Sequence, residues 1–120
     1  MEKAIDTYCK NNDLIMPQNT ADRLKAVYLG LAHCYNDAIK ELEKIRKCKF
    51  DSINIVGGGC RDGYLNGLTA DITGLKVIAG PVEATSIGNV LCQMIYAGEL
   101  SSLEEARKLV SDSFELEIYE

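Results

Sequence analysis

The chain has 120 residues, 47% of them hydrophobic, and a formal net charge of −5 with its one histidine neutral. That length accommodates one domain or part of a larger one, and that apolar content argues against disorder. The acidic balance gives no support to nucleic-acid binding, which needs clustered positive charge; the one basic group, Lys44, Arg46, Lys47 and Lys49, sits beside Glu41 and Glu43 as on a solvated helix face.

Residues 2–11 read as a short helix with Ile5, Tyr8 and Cys9 on one face. Asn11, Asn12, Asp13 and Pro17 mark the connection that follows. The longest helix is expected from about Thr20 to Cys48, capped by Asn19 or Thr20. Its apolar positions Leu24, Val27, Tyr28, Leu31, Cys34, Tyr35, Ala38, Leu42 and Ile45 recur at three and four residues. They form one stripe, which reads as core. His33 lies beside it and reads as a hydrogen-bonded structural histidine, since no acid or nucleophile is placed with it.

Ser52–Val56 is a short apolar strand, followed by Gly57, Gly58 and Gly59 and then a helix from about Arg61 to Thr73. Strand, glycine turn and helix together bring backbone close to a nucleotide or phosphate. The same glycines read equally well as a tight corner and nothing more. Tyr64, Leu65 and Leu68 share one face of the helix. Gly63 and Gly67 weaken it, so tertiary contacts must hold it, and Gly74 is placed to end it.

Leu75–Ala79 is a second strand, closed by Gly80-Pro81. Thr85 or Ser86 is expected to open a helix that turns Ile87, Val90, Leu91, Met94 and Ile95 inward and stops at Gly98. Gly88 inside it implies close packing against a neighbour or ligand, or simple tolerance. Ser101 and Glu104 fit a capping box for a helix carrying Leu103, Ala106, Leu109 and Val110. Phe114–Tyr119 alternates apolar and polar residues, as in an edge strand or an extended tail. Strands alternating with helices imply an α/β fold with a small parallel sheet. Two or three strands are few for five amphipathic helices. Some of the sheet is expected to be missing, and the uncovered surface predicts a homo-oligomer.

Cys9, Cys34, Cys48, Cys60 and Cys92 are odd in number and lack C-x-x-C spacing, as expected of reduced, mostly buried thiols. Cys60 follows the glycines and invites a reading as nucleophile, but no histidine lies near it in sequence, and inert packing is the stronger reading. Met1-Glu2-Lys3-Ala4 does not open a signal peptide, and no apolar run is long enough to span a bilayer. A cytoplasmic protein with no membrane partner is expected.

The stretch IVGGGCRDGYLNGLTADITGLKVIAGPVEATSIGNVLCQMIYAGEL resembles the C-terminal segment of the FGGY carbohydrate kinases, most closely the branch that phosphorylates L-rhamnulose. The VGGG turn, the L-N-x-L-x-A-D-x-x-G helix and the GPVEAT-x-x-GN helix start carry the likeness, and the last two are more specific than the glycines. The likeness extends over the long helix and ends near Tyr119. It implies part of an actin-like (ribonuclease H-like) ATPase domain, with ATP and Mg²⁺ as cofactors. It also implies contact of ATP or ADP with Gly57, Gly58 and Gly59. Gly58 is the best single match, and φ > 0 is expected there. Position 62 is often Asn in that family. Asp62 would be unfavourable beside a polyphosphate unless Mg²⁺ or Arg61 compensates.

The family's catalytic Asp, its sugar pocket and its phosphate-binding hairpin precede the matching segment. The resemblance therefore implies no catalytic or metal-ligating residue here. The sugar would be bound through an N-terminal part, and this chain alone would be inactive. Asp71 reads as a helix-surface residue and Glu83 as structural support. Two rival readings are a stand-alone nucleotide-binding or regulatory module and a purely structural interaction domain. A dinucleotide-binding fingerprint fails on spacing: from Gly57 the sixth position is Asp62, and from Gly58 the third is Cys60.

Overall fold

The computed structural model describes residues 1–120. Helix α1 spans Glu2–Asn11 and α2 spans Thr20–Arg46. The Asn19 side chain caps α2, accepting from the Asp22 N–H at 2.9 Å. Lys47, in the left-handed region, stops the helix at Arg46, two residues short of the expected Cys48. The Arg23 guanidinium donates to both oxygens of Asp6 at 3.1–3.3 Å and ties α1 to α2. On α1, Cys9 turns inward, but Tyr8 does not share its burial and stands exposed.

Strand β1 (Ser52–Ile55) leads through a 3-10 turn, Gly58–Arg61, into α3 (Gly63–Thr73), and β2 (Lys76–Ala79) returns beside β1. The two strands pair in parallel, Ser52 with Lys76 through Ile55 with Ala79. Helix α4 (Ala84–Tyr96) and α5 (Leu103–Ser113) follow, and β3 (Glu117–Tyr119) closes the chain. β3 pairs antiparallel with β2, Val77 opposite Tyr119 and Ala79 opposite Glu117. The final alternating stretch is thus an edge strand. It makes the sheet mixed rather than wholly parallel, in the order β1-β2-β3.

One side of this sheet carries α3, and α2 packs over α3. Ala32 of α2, Thr69 and Ala70 of α3, and Val77 and Ala79 of β2 are buried there. The apolar stripe of α2 is partly uncovered, as the shortage of strands implies, and of its members Val27 and Tyr28 are half-buried and lie toward the packed side. Leu29, Ala32, Asn36, Ile39 and Glu43 turn inward, whereas Leu24, Leu31, Tyr35, Leu42 and Ile45 stay exposed. At 3.6 residues per turn the exposed stripe is centred roughly 110° around the helix from the buried line. A small residue, Ala32, is what lets α3 approach α2.

The molecule is elongated. Its radius of gyration is 18.6 Å and its extents are 60 × 32 × 23 Å, against a radius of about 14 Å for a compact chain of this length. The 27-residue α2 overhangs the 11-residue α3. On the sheet face away from α3, Ile78 and its partner Ile118 are not fully covered, Ile118 being exposed.

Candidate functional site

The site read from the sequence lies where β1 and β2 end together. The Gly57 N–H donates to the Pro81 carbonyl at 3.1 Å, and the Gly80 N–H donates to the Ile55 carbonyl at 2.8 Å. These bonds stitch the glycine turn to the Gly80–Glu83 loop. Such paired loops at the carboxyl ends of parallel strands are where open α/β sheets present ligand sites.

The three glycines differ. Gly57 has φ +76°, and a Cβ there would lie 4.0 Å from the Val82 carbonyl oxygen. The positive φ expected at Gly58 belongs to Gly57 instead, because the chain leaves β1 and swings toward Pro81 at that residue. Gly58 and Gly59 have ordinary φ, are exposed, and have nothing within 4 Å of where a Cβ would stand. They form a bare patch of main chain that a flat or polyanionic ligand can approach.

The patch does not run directly into a helix N-terminus, as the strand-turn-helix reading expects. The Cys60 N–H donates to the Gly57 carbonyl at 3.1 Å and the Asp62 N–H to the Gly59 carbonyl at 3.2 Å, which makes a turn of 3-10 helix. Asp62 then caps α3, accepting from the Leu65 N–H at 3.1 Å. Its other oxygen accepts from the Tyr28 hydroxyl of α2 at 2.8 Å. The carboxylate pushes the Tyr28 phenol above its ordinary value, chiefly through that bond. Tyr28 also meets the exposed Tyr64 edge-on, ring centres 5.1 Å apart at 86°. The charge on Asp62 is thus engaged within the fold by the Tyr28 hydroxyl and the Leu65 N–H. The first turn of α3 is closed to an anion.

Helix α4 differs in this respect. It starts at Ala84, ahead of the expected Thr85 or Ser86, with Glu83 at the cap position and no side chain capping it. Glu83 is exposed, and only its carbonyl acts, accepting from the Ile87 N–H at 3.0 Å. It is not a side-chain support for the helix. Nothing in this chain lies within 4 Å of a Cβ on Gly88, so the glycine is not required by packing against a neighbouring element here. Asp71 is exposed on α3, as expected. His33 is exposed on α2 and is not the packed structural histidine expected. Cys60 is buried, as inert packing requires, and so is Cys9, but Cys34, Cys48 and Cys92 are exposed.

Sequence reasoning missed Tyr28 as a partner of the turn, because its spacing reads only as part of an apolar stripe. It also missed Asn66, which is fully buried and donates to the Cys60 carbonyl at 2.8 Å. An amide within the L-N-x-L motif was the available signal. No group of three His, Cys, Asp or Glu side chains gathers to hold a metal ion. An apolar groove of about 350 Å³ between α4 and α5 is lined by Ile87, Val90, Leu91, Met94, Val110 and Phe114 among others and by neither glycine loop.

A parallel β-α-β unit with a glycine turn at its carboxyl edge, flanked by amphipathic helices, now has a family. Residues 1–97 match the C-terminal domain of the FGGY family of carbohydrate kinases, and the chain belongs to that family. Its small sheet flanked by helices is part of an actin-like ATPase domain. Among curated proteins the chain is 44% identical over 119 residues to a rhamnulokinase of Halalkalibacterium halodurans, covering 99% of this chain and 26% of that protein. It is 42% identical to a rhamnulokinase of Bacillus subtilis, covering 99% and 24%, and 39% identical to one of Oceanobacillus iheyensis, covering 99% and 25%. The chain thus spans about a quarter of the length of these relatives. No helix is long and apolar enough to cross a membrane.

Proposed function

We propose that this chain is the nucleotide-facing C-terminal part of an ATP-dependent sugar kinase, one that phosphorylates a sugar such as L-rhamnulose. The observation that carries this is the bare main-chain patch at Gly58 and Gly59, held beside the uncapped start of α4 by the Gly57–Pro81 and Gly80–Ile55 bonds. Family membership supports ATP as the ligand class, and the names of the relatives support the sugar. Bound ATP supplies the transferable phosphoryl group. The residues here bind and orient it: Gly57 aims the turn, Gly58 and Gly59 admit close approach, and Asp62 with Tyr28 fixes the turn against α2.

Nothing here serves as a base for a sugar hydroxyl. Asp62 is engaged by Tyr28 and Leu65, and Asp71 points to solvent. Catalysis and sugar binding belong to the remaining three quarters of a full-length relative, as does any protein ligand to the Mg²⁺ that travels with ATP. The chain alone binds nucleotide and transfers nothing. We place it in the cytoplasm, where ATP and free thiols occur together, as a protein without nucleic-acid or membrane partners.

Calorimetric titration with ADP tests the reading. The unaltered chain is expected to bind weakly, and Gly58→Val, whose side chain fills the open patch, is expected to abolish binding with the circular dichroism spectrum unchanged. Equal affinity in the two would refute the glycine-turn site.

A further inference from the structure

The two glycines of α3 and the last strand have no part in the reading so far, yet they meet. Gly63 and Gly67 are four residues apart and lie on one side of the helix. The ring of Tyr119, on β3, lies over both. A Cβ on Gly63 would stand 3.1 Å from the Tyr119 hydroxyl oxygen, and one on Gly67 would stand 3.8 Å from the ring. The first turn of α3 is thus a groove that exists only because two side chains are absent. The strand holds the ring there: Tyr119 pairs with Val77 of β2, and its hydroxyl donates to the Glu117 carboxylate two residues away on the same strand face.

Asn66 stands between the groove and the glycine turn. It is fully buried and lies on α3 between Gly63 and Gly67, the two glycines that the Tyr119 ring covers. Its NH₂ donates to the Cys60 carbonyl in the middle of the turn, while its Oδ1 is the one buried side-chain polar atom with no partner. A buried amide with one end unpartnered is held by its own hydrogen bonds at the other end alone. What else keeps it aimed at Cys60 is the packing around it, and Tyr119 supplies one wall of that packing. This contact comes from residues beyond 97, where the family match ends, but within the 119 residues aligned with the rhamnulokinases.

We propose that Tyr119 is a positioning residue for the glycine turn: wedged onto Gly63 and Gly67, it holds Asn66 against the Cys60 carbonyl and so sets the main-chain patch at Gly58 and Gly59. Its bearing on affinity rests on the nucleotide reading above; its bearing on the turn does not. The test therefore reads both. Amide hydrogen exchange at Cys60 and Asp62 is measured without ligand, and ADP affinity is measured beside it, in the whole chain and in Tyr119→Ala and Tyr119→Phe.

Tyr119→Ala is expected to speed exchange at those two amides at least tenfold, leaving the amides of α2 and α5 unchanged, and to weaken ADP binding about tenfold. Tyr119→Phe, which keeps the ring, is expected to restore both to within about threefold. Unchanged exchange at the turn in Tyr119→Ala, or an equal rise in every element, would overturn the proposal, since the second is what loss of general stability produces. Should Tyr119→Ala fail to fold, Gly63→Ala decides: it favours helix but presses on the phenol oxygen. Exchange at Cys60 and Asp62 at least threefold faster supports the wedge, and no change refutes it. If the unaltered chain does not bind ADP, the nucleotide reading falls, while the exchange result still decides the role of Tyr119.

Discussion

Gly57 and Gly58 are neighbours of one residue type with separate jobs. Gly57 sits at φ +76°, where an L side chain is strained, and Gly58 does not. Gly57, with ψ −165°, lies in a region that only glycine adopts readily, and Gly57→Ala is expected to cost about 1–3 kcal/mol of folding stability, whereas Gly58→Ala should change stability by only a few tenths of that. Urea unfolding of both variants checks this, and equal losses would show that the turn is not built as described. That the glycines make a turn was legible in the sequence, whereas a ligand role was not, since three glycines after an apolar run read equally well as a tight corner. Which of them carries the positive φ was not legible, since that depends on where Pro81 lies. Asp62 shows the same limit. The sequence marks it as a charge in an awkward place, but its partner Tyr28 is 34 positions away and looks like any other aromatic in an apolar stripe.

Elements were legible wherever their signals are local. Asn19 caps α2, Gly74 ends α3 with its N–H on the Ala70 carbonyl at 2.8 Å, and both parallel strands fall within one residue of their expected ends. The packed face of α2 was not legible, because large apolar residues outline the stripe whereas the contact with α3 is made through Ala32, whose size is the point. The capping box at α5 is shifted by one residue. Ser102, not Ser101, caps the helix, accepting from the Glu105 N–H at 3.1 Å, and Glu105, not Glu104, reaches back to the Ser101 N–H at 2.8 Å and its hydroxyl at 2.6 Å. Two adjacent serines and two adjacent glutamates fit the pattern in either register.

The Ser101 hydroxyl and N–H hold the Glu105 carboxyl below its ordinary range. A carboxyl whose folded value is depressed binds fewer protons folded than unfolded. Its stabilisation is present above the unfolded value and is lost as pH falls through the folded one. The Tm advantage of the unaltered chain over Glu105→Gln is therefore expected to shrink between about pH 5 and about pH 3. Thermal melts across that interval measure it, and an advantage independent of pH would contradict the assignment.

At the scale of the molecule, the exposed Leu24, Leu31, Tyr35, Leu42 and Ile45 of α2 and the open edge of β1 are surfaces that a longer protein can cover. The count of strands against helices in the sequence points to further sheet outside this chain. The elongated shape agrees with it, and the relatives are about four times as long as this chain. Alone in solution the chain is expected to cover these surfaces with a second copy. Light scattering at micromolar concentration should give a dimer or larger species, and a monomer at all concentrations would show that α2 tolerates its exposed stripe.

The central claim is that nucleotide meets this chain on the glycine turn. Backbone amide chemical shifts of the labelled chain, followed through a titration with ADP, test it most directly. The account predicts changes concentrated at Gly57–Arg61 and along residues 81–84, spreading to Asp62 and Tyr64. Changes confined to Ile87, Val90 and Met94 in the groove between α4 and α5, or none at saturating ADP, would contradict it.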